Sequence, residues 1–223
     1  MRFASENELL SHAKKLTGKS LRQVVEPSTL KRIEQHLSSQ KNKGRYGQLL
    51  SWCHFDLPLD SSPTPDFFCG IELKVTPLKK TNSGYTPKER LVCNIINFET
   101  IIHESWESSS FLKKNQRILL IRYVDPMNQS SQLDYVVKDV RIHDLYATPQ
   151  FERFKADWEL IVAKIRAGQA DKLSESDTTF LGACTKGANS KSLRPQPNSP
   201  NWAMQRAFSF KTAYMKLLTT PVD

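Results

Sequence analysis

Apolar residues first recur at helical spacing. Leu9, Leu10 and Leu16 follow Ser5 and Glu8, which stand at capping-box spacing, so residues Ser5 to Leu16 predict an amphipathic helix. "STLKRIEQHLSS" (Ser28 to Ser39) puts Leu30, Ile33 and Leu37 on one face and predicts a second helix. "GRYGQLLSWCHF" predicts a third, short one. The pattern then changes. "CGIELKVTPL" predicts a strand, "KKTNSGYTPK" a turn or exposed loop, and "RLVCNII", "RILLIRYV" and "LDYVVKDVRI" further strands. Some of these runs are apolar almost throughout, as central strands covered on both faces would be. "TPQFERFKADWELIVAKIRAG" (Thr148 to Gly168) predicts the longest helix, with Phe151, Phe154, Trp158, Ile161, Val162 and Ile165 as a core-facing stripe and Gly168 at its end. "SLRPQPNSPN" predicts a Pro-rich loop, and "WAMQRAFSFKTAYMKLL" a last, partly helical element.

Composition narrows this picture. In 223 residues, 39% are hydrophobic and 25% charged, which places the chain among soluble globular proteins. No apolar run approaches the roughly 20 residues of a membrane span. The N-terminus "MRFASENELL" lacks the apolar core of a signal peptide, so a cytoplasmic protein with no membrane partner is expected. The four cysteines, Cys53, Cys69, Cys93 and Cys184, form no C-x-x-C pair, which argues against structural zinc and for reduced thiols. The formal charge is +9, and its distribution is uneven. From Thr178 to Val222 no Asp or Glu occurs, while Lys186, Lys191, Arg194, Arg206, Lys211 and Lys216 all fall there. An acid-free basic stretch of that length is the footprint of a polyanion-binding surface.

Two other motifs lead nowhere. "GKS" at Gly18 to Ser20 has Ala13 where a P-loop needs its first glycine, and a helix rather than a strand before it. The five histidines are dispersed, with none in a nucleophile setting.

The segment "PDFFCGIELKV" carries the chemistry. On a strand, Glu72 and Lys74 point to one face while Leu73 and Val75 point to the other. Asp66 lies where the chain enters that strand. Two nearby carboxylates repel unless a cation lies between them, and a hard cation such as Mg²⁺ takes oxygen ligands while keeping several waters. A lysine beside them suits metal-assisted hydrolysis of a phosphodiester. E-x-K alone is weak, since roughly one such triplet is expected by chance in a chain of this length. Preceded by Pro-Asp, it is the PD-(D/E)xK signature of restriction-type nucleases.

The likeness extends well beyond that signature. "GRYGQLL", "PDFFCGIELKVTPLKK", "KERLVCNIINFE", "SSFLKKN", "CTKGANSKSLR" and "QRAFSFKTAYM" follow one another as in the MutH-type endonucleases, which the chain resembles over nearly its whole length. Within them it most resembles the catalytic N-terminal half of the Sau-type restriction enzymes that cut at GATC. The resemblance implies an α/β, restriction-endonuclease-like fold, a mixed β-sheet flanked by helices in two lobes with a DNA cleft. It implies a single endonuclease domain over 1–223, with a catalytic lobe at roughly 40–145 and a recognition lobe from roughly 146–223 joined by the N-terminal helices. Asp66 and Glu72 would hold Mg²⁺, with Mn²⁺ as a substitute, and Lys74 would orient the attacking water. Lys114 resembles a further lysine near the active site. "CTKGAN" resembles the base-reading loop, with Lys186 directed at guanine acceptors, Gly187 allowing close backbone approach and Thr185 offering a hydroxyl. Ser209 matches a second DNA-contact position, and Arg206 and Lys211 beside it would touch phosphates.

The chain also departs from the family. Ser51 stands where the family carries a glutamate after its third-helix "G-x-L-L" motif, which removes an acidic group from the metal site; Asp56 and Asp60 are the neighbouring candidates to replace it. One residue fewer than expected separates Asp66 from Glu72. The chain has about the length of the single-domain nickase, which on double-stranded DNA cuts one strand per encounter. Cutting both strands would need a homodimer on a two-fold site or two sequential nicks. The implied activity is a type II restriction-type cleavage at GATC that leaves 5′-phosphate ends. The alternatives are mismatch-repair nicking and a weakened relative that binds DNA without cutting it.

Overall fold

A computed structural model describes residues 3–30, 45–58, 62–126, 131–187, 189 and 191–219. The chain forms two compact units, Met1–Glu89 with Arg117–His143, and Arg90–Gln116 with Asp144–Asp223. This division runs differently from the expected boundaries of a catalytic and a recognition lobe. The N-terminal helices belong to the first unit, and residues 90–116 belong to the second. Leu9, Ala13, Leu16 and Leu21 share one apolar core with Leu73, Leu119 and Ile121, and that burial ties the N-terminus to the first sheet.

In the first unit, α1 (Glu6–Lys14) starts as its sequence predicts, with Ser5 accepting from the Glu8 N–H and acids in the first turn. A short α2 (Leu21–Val24) follows. Of the helix expected over Ser28 to Ser39, residues 28–30 are helical and the remainder lies outside the described residues. Next comes α3 (Arg45–Cys53). The sheet has the order β2-β1-β4-β5, from β1 (Glu72–Thr81), β2 (Gly84–Pro87), β4 (Arg117–Val124) and β5 (Val137–Asp144). It is mixed, because β1 runs parallel to β4 and antiparallel to β2. The segment expected as a turn or exposed loop, "KKTNSGYTPK", holds a turn at 82–83 but is largely a hairpin in which Lys79, Lys80 and Thr81 pair with Thr86, Tyr85 and Gly84. Its polar strands carry no apolar alternation, which is why it reads as a loop. In β4, Ile118, Leu119, Leu120 and Ile121 are all buried, the expected mark of a strand covered on both faces.

The second unit holds a three-stranded antiparallel sheet, β3-β9-β6, from β3 (Leu91–Ile95), β6 (Leu181–Thr185) and β9 (Arg206–Phe210). A two-stranded hairpin joins β7 (Leu193–Arg194) to β8 (Ala203–Met204). The short helices are α4 (Phe98–Ile101), α5 (Ser110–Asn115) and α7 (Thr212–Leu217). The last predicted element is thus mainly strand, with helix only from Thr212. Ala207, Phe208 and Phe210 are buried in the central strand of this sheet, and that burial outweighs helix propensity. The long α6 (Phe151–Arg166) buries Phe154, Trp158, Ile161, Val162 and Ile165 as its spacing predicts. Phe154 meets Phe210 and Tyr214 edge-on at 5.0 and 4.6 Å between ring centroids.

The same face of α6 buries a carboxylate. Asp157, 3% exposed, accepts from the backbone N–H groups of Thr179 (3.0 Å), Phe180 (2.6 Å) and Leu181 (2.9 Å). These three bonds fix the entry to β6, an element that no apolar periodicity announces. Asp157→Asn is expected to lower stability by about 2–3 kcal/mol, read as a lower urea midpoint at unchanged slope, because hydrogen bonds to a charged acceptor are the stronger kind.

Candidate active site and nucleic-acid surface

Asp66 and Glu72 flank a tight turn. Phe67 bridges to Ile71, with Phe67 N–H donating to Ile71 O at 3.0 Å and Gly70 N–H to Phe67 O at 2.9 Å. Gly70 has φ +77, a conformation that side-chain-bearing residues seldom adopt. Asp66 Oδ2 then accepts from Leu73 N–H at 2.9 Å, which sets its carboxylate against the Glu72–Leu73 peptide. Glu72 is 3% exposed, and Lys74 Nζ donates to its Oε1 at 2.8 Å. β1 therefore brings Asp66, Glu72 and Lys74 together as the sequence expects.

The donors are hard oxygens, a set that fits Mg²⁺ with several retained waters and not zinc. Among the described residues, no cluster of three or more His, Cys, Asp or Glu side chains forms a metal site. Ser51 on α3 turns inward, its Oγ donating to Gly47 O at 2.9 Å one helical turn back. The helix lies close to β1 there, since a Cβ on Gly47 would stand 3.6 Å from Val75 Cβ. Asp60 lies outside the described residues. Asp56 is exposed, with φ +59, and lines with Asp66 a cavity of about 550 Å³. Lys114 lies on α5 of the second unit, outside the unit that carries the other three.

In the second unit, Thr185 ends β6 exposed, and exposed Lys186 is held by its N–H bond to Gln205 O at 2.8 Å. Gly187 has a local reason to be glycine, since a Cβ there would fall 2.3 Å from Ser192 Cβ. Three residues expected to contact DNA have partners or surroundings within the protein. Ser209 is fully buried in central β9, between Val92 and Gly182 of the flanking strands, so its hydroxyl does not reach the surface. Arg206 donates to Ala183 O (3.2 Å) and Leu173 O (2.8 Å). Lys211 Nζ donates to Glu175 O and Thr178 O, each at 2.5 Å. Both cations thus tie strands and turns together. Trp202, by contrast, is 60% exposed beside β8; its signal in the sequence is an aromatic residue within the acid-free basic stretch.

Comparison with known proteins bears on the family of the chain. The family model described as DNA mismatch repair enzyme MutH matches residues 55–157, the segment that contains Asp66, Glu72 and Lys74. The type II restriction enzyme Sau3AI of Staphylococcus aureus is 39% identical over 216 residues, covering 96% of this chain and 42% of that protein. The chain thus spans less than half the length of that relative. The DNA mismatch repair protein MutH of Vibrio vulnificus is 30% identical over 216 residues, covering 94% of this chain and 90% of that one.

The chain belongs to the MutH family.

MutH of Shewanella oneidensis, 27% identical, aligns over 97% of this chain and 95% of its own. Membership gives the restriction-endonuclease-like fold, and the mixed sheet of the first unit with its flanking helices is that architecture in this MutH relative. Ser51, bonded back into its own helix, marks where the chain differs from the acid that the resemblance implies.

The sheet that carries Glu72 also holds an ion pair across β4 and β5. Arg122, 3% exposed, donates from Nε to Asp139 Oδ1 at 2.9 Å and from its Nη2 to Oδ2, and Arg141 reaches the same carboxylate at 3.2 Å. Burial works against charge on Asp139, but the two guanidiniums outweigh it and hold the carboxyl below its usual 3.8. A depressed folded pKa contributes stability that is present above the usual value and lost as pH falls through the folded one. In urea titrations from pH 7 down to 2, Asp139→Asn is expected to show a shallower loss of stability below pH ~4 than the wild type.

Proposed function

We propose that this protein is a Mg²⁺-dependent DNA endonuclease that cleaves phosphodiester bonds at GATC sites and leaves 5′-phosphate ends, as a restriction-type enzyme. The observation that carries the reading is Asp66 set against the Glu72 peptide, with Lys74 at 2.8 Å from a buried Glu72 carboxylate. In it, Asp66 and Glu72 would hold the divalent ion, which would neutralise charge developing on the phosphate. Lys74 orients the attacking water through its ammonium. The water oxygen forms the new bond to phosphorus, the bond to the 3′-oxygen breaks, and a proton passes to that oxygen. Water-accessible Lys186 and Thr185 read base edges in double-stranded DNA, which supplies sequence preference that phosphate contacts cannot. Four dispersed cysteines with no C-x-x-C pair suit action in a reducing cytoplasm.

The 30% identity to a MutH mismatch-repair protein supports a second reading, strand nicking by a monomer rather than double-strand cleavage by a homodimer. Ser51 in place of an acid favours a third, DNA binding with weakened cutting.

One assay separates the three. Supercoiled plasmids with and without GATC are incubated with Mg²⁺, beside Glu72→Ala and Lys74→Ala. Linear product from the GATC plasmid alone is the expected result, with Lys74→Ala slower by roughly 10²- to 10⁴-fold. Open circles alone select nicking. Intact plasmid, together with GATC-specific retention in a gel, selects the binder, and intact plasmid without retention refutes the reading. Lys186→Ala is expected to narrow the cleavage-rate ratio between GATC and single-base variants by about 1–3 kcal/mol, measured on short duplexes.

A further inference from the structure

The turn between Asp66 and Glu72 carries Phe68, 79% exposed, more than any other large apolar side chain among the described residues. Phe68 and Asp66 line the same cavity of about 550 Å³. Phe3, Phe55 and Phe67 form its aromatic wall, packed with centroids 5.4 to 6.3 Å apart. Asp56 adds a carboxylate, on a backbone fixed by the bond from Leu57 N–H to Ser51 O at 2.9 Å.

We propose that this cavity is a nucleobase subsite, which receives an unstacked base bearing an exocyclic amino group from the nucleotide beside the scissile phosphate. The inference rests on the endonuclease reading and deepens it. Asp66 belongs both to the cavity wall and to the catalytic pair, so a phosphate brought to Asp66 carries its own nucleoside to the cavity. The volume falls in the range of sites that enclose small aromatic ligands. Exposed Phe68 offers a ring for stacking to any base, while the Asp56 carboxylate accepts hydrogen bonds and so suits the two-proton amino group of adenine, cytosine or guanine. An exposed apolar ring is also the device by which proteins prise base steps apart, and Phe68 stands where that would help the base to leave its stack.

The test uses the whole chain with single-GATC duplexes that carry 2-aminopurine at one position at a time, within and beside the site. Ca²⁺ replaces Mg²⁺ so that bound duplex stays uncut, and a terminal dye reports binding by anisotropy in the same samples. A several-fold rise in 2-aminopurine emission at one position is expected on binding. Phe68→Ala is expected to abolish that rise and weaken binding on the order of tenfold, and Asp56→Ala to reduce the rise. Phe68 is exposed, so its removal leaves the core intact, which circular dichroism checks. Bound duplex that stays dark at every position overturns the subsite, as does a rise that survives in Phe68→Ala. Anisotropy that shows no duplex binding removes the endonuclease reading instead, and the subsite with it.

Discussion

A carboxylate buried almost completely in a β-sheet is a constraint that the rest of the first unit must satisfy. Glu72 is 3% exposed, and a charge so placed is costly unless it is paired and hydrogen-bonded. Lys74 supplies the pairing two residues along the same strand, and strand geometry makes that pairing automatic. Everything else serves to hold the strand in place. β4 pairs with it in parallel register from Glu72–Ile118 to Leu78–Val124. Helix α3 lies against Val75 across a glycine, and Leu73 faces a core that reaches back to α1. Asp66 then needs no helix or strand of its own, because one hydrogen bond to the Leu73 amide fixes it.

The second unit uses a related device for a different end. The Asp157 side chain is also buried, and it is satisfied by three backbone N–H groups at the start of β6. Its product is position: β6 is anchored, and Thr185 and Lys186 leave its far end into solvent. Arg206 and Lys211 close the same corner by bonding main-chain carbonyls. The high net positive charge therefore divides into cations that build the fold and cations that face outward, a division that decides which of them are available to a polyanion.

The helices and strands were legible where one face is buried and the other wet, as in α1, α6 and the run through Glu72 to Val75. The proximity of Glu72 to Lys74 was legible too, because a strand puts both on one face whatever surrounds it. The polar β1–β2 hairpin, strand β6 and the strand character of "RAFSF" were not, since each depends on a partner distant in sequence.

By itself, the sequence determined the apolar periodicity of the long helix, the pairing of Glu72 with Lys74 and the acid-free basic stretch, all of which follow from local geometry and composition. Only the tertiary structure decided where the charged ends go. Ser209 is sealed in a central strand, Arg206 and Lys211 are tied to carbonyls, and Ser51 bonds into its own helix. The tertiary structure likewise closed a five-residue turn on Gly70 that keeps Asp66 beside Glu72 and leaves Phe68 in solvent. The physical reason is the same in each case. Burial and hydrogen bonding are set by neighbours that the chain meets only after it folds, and no spacing along the sequence encodes them one residue at a time.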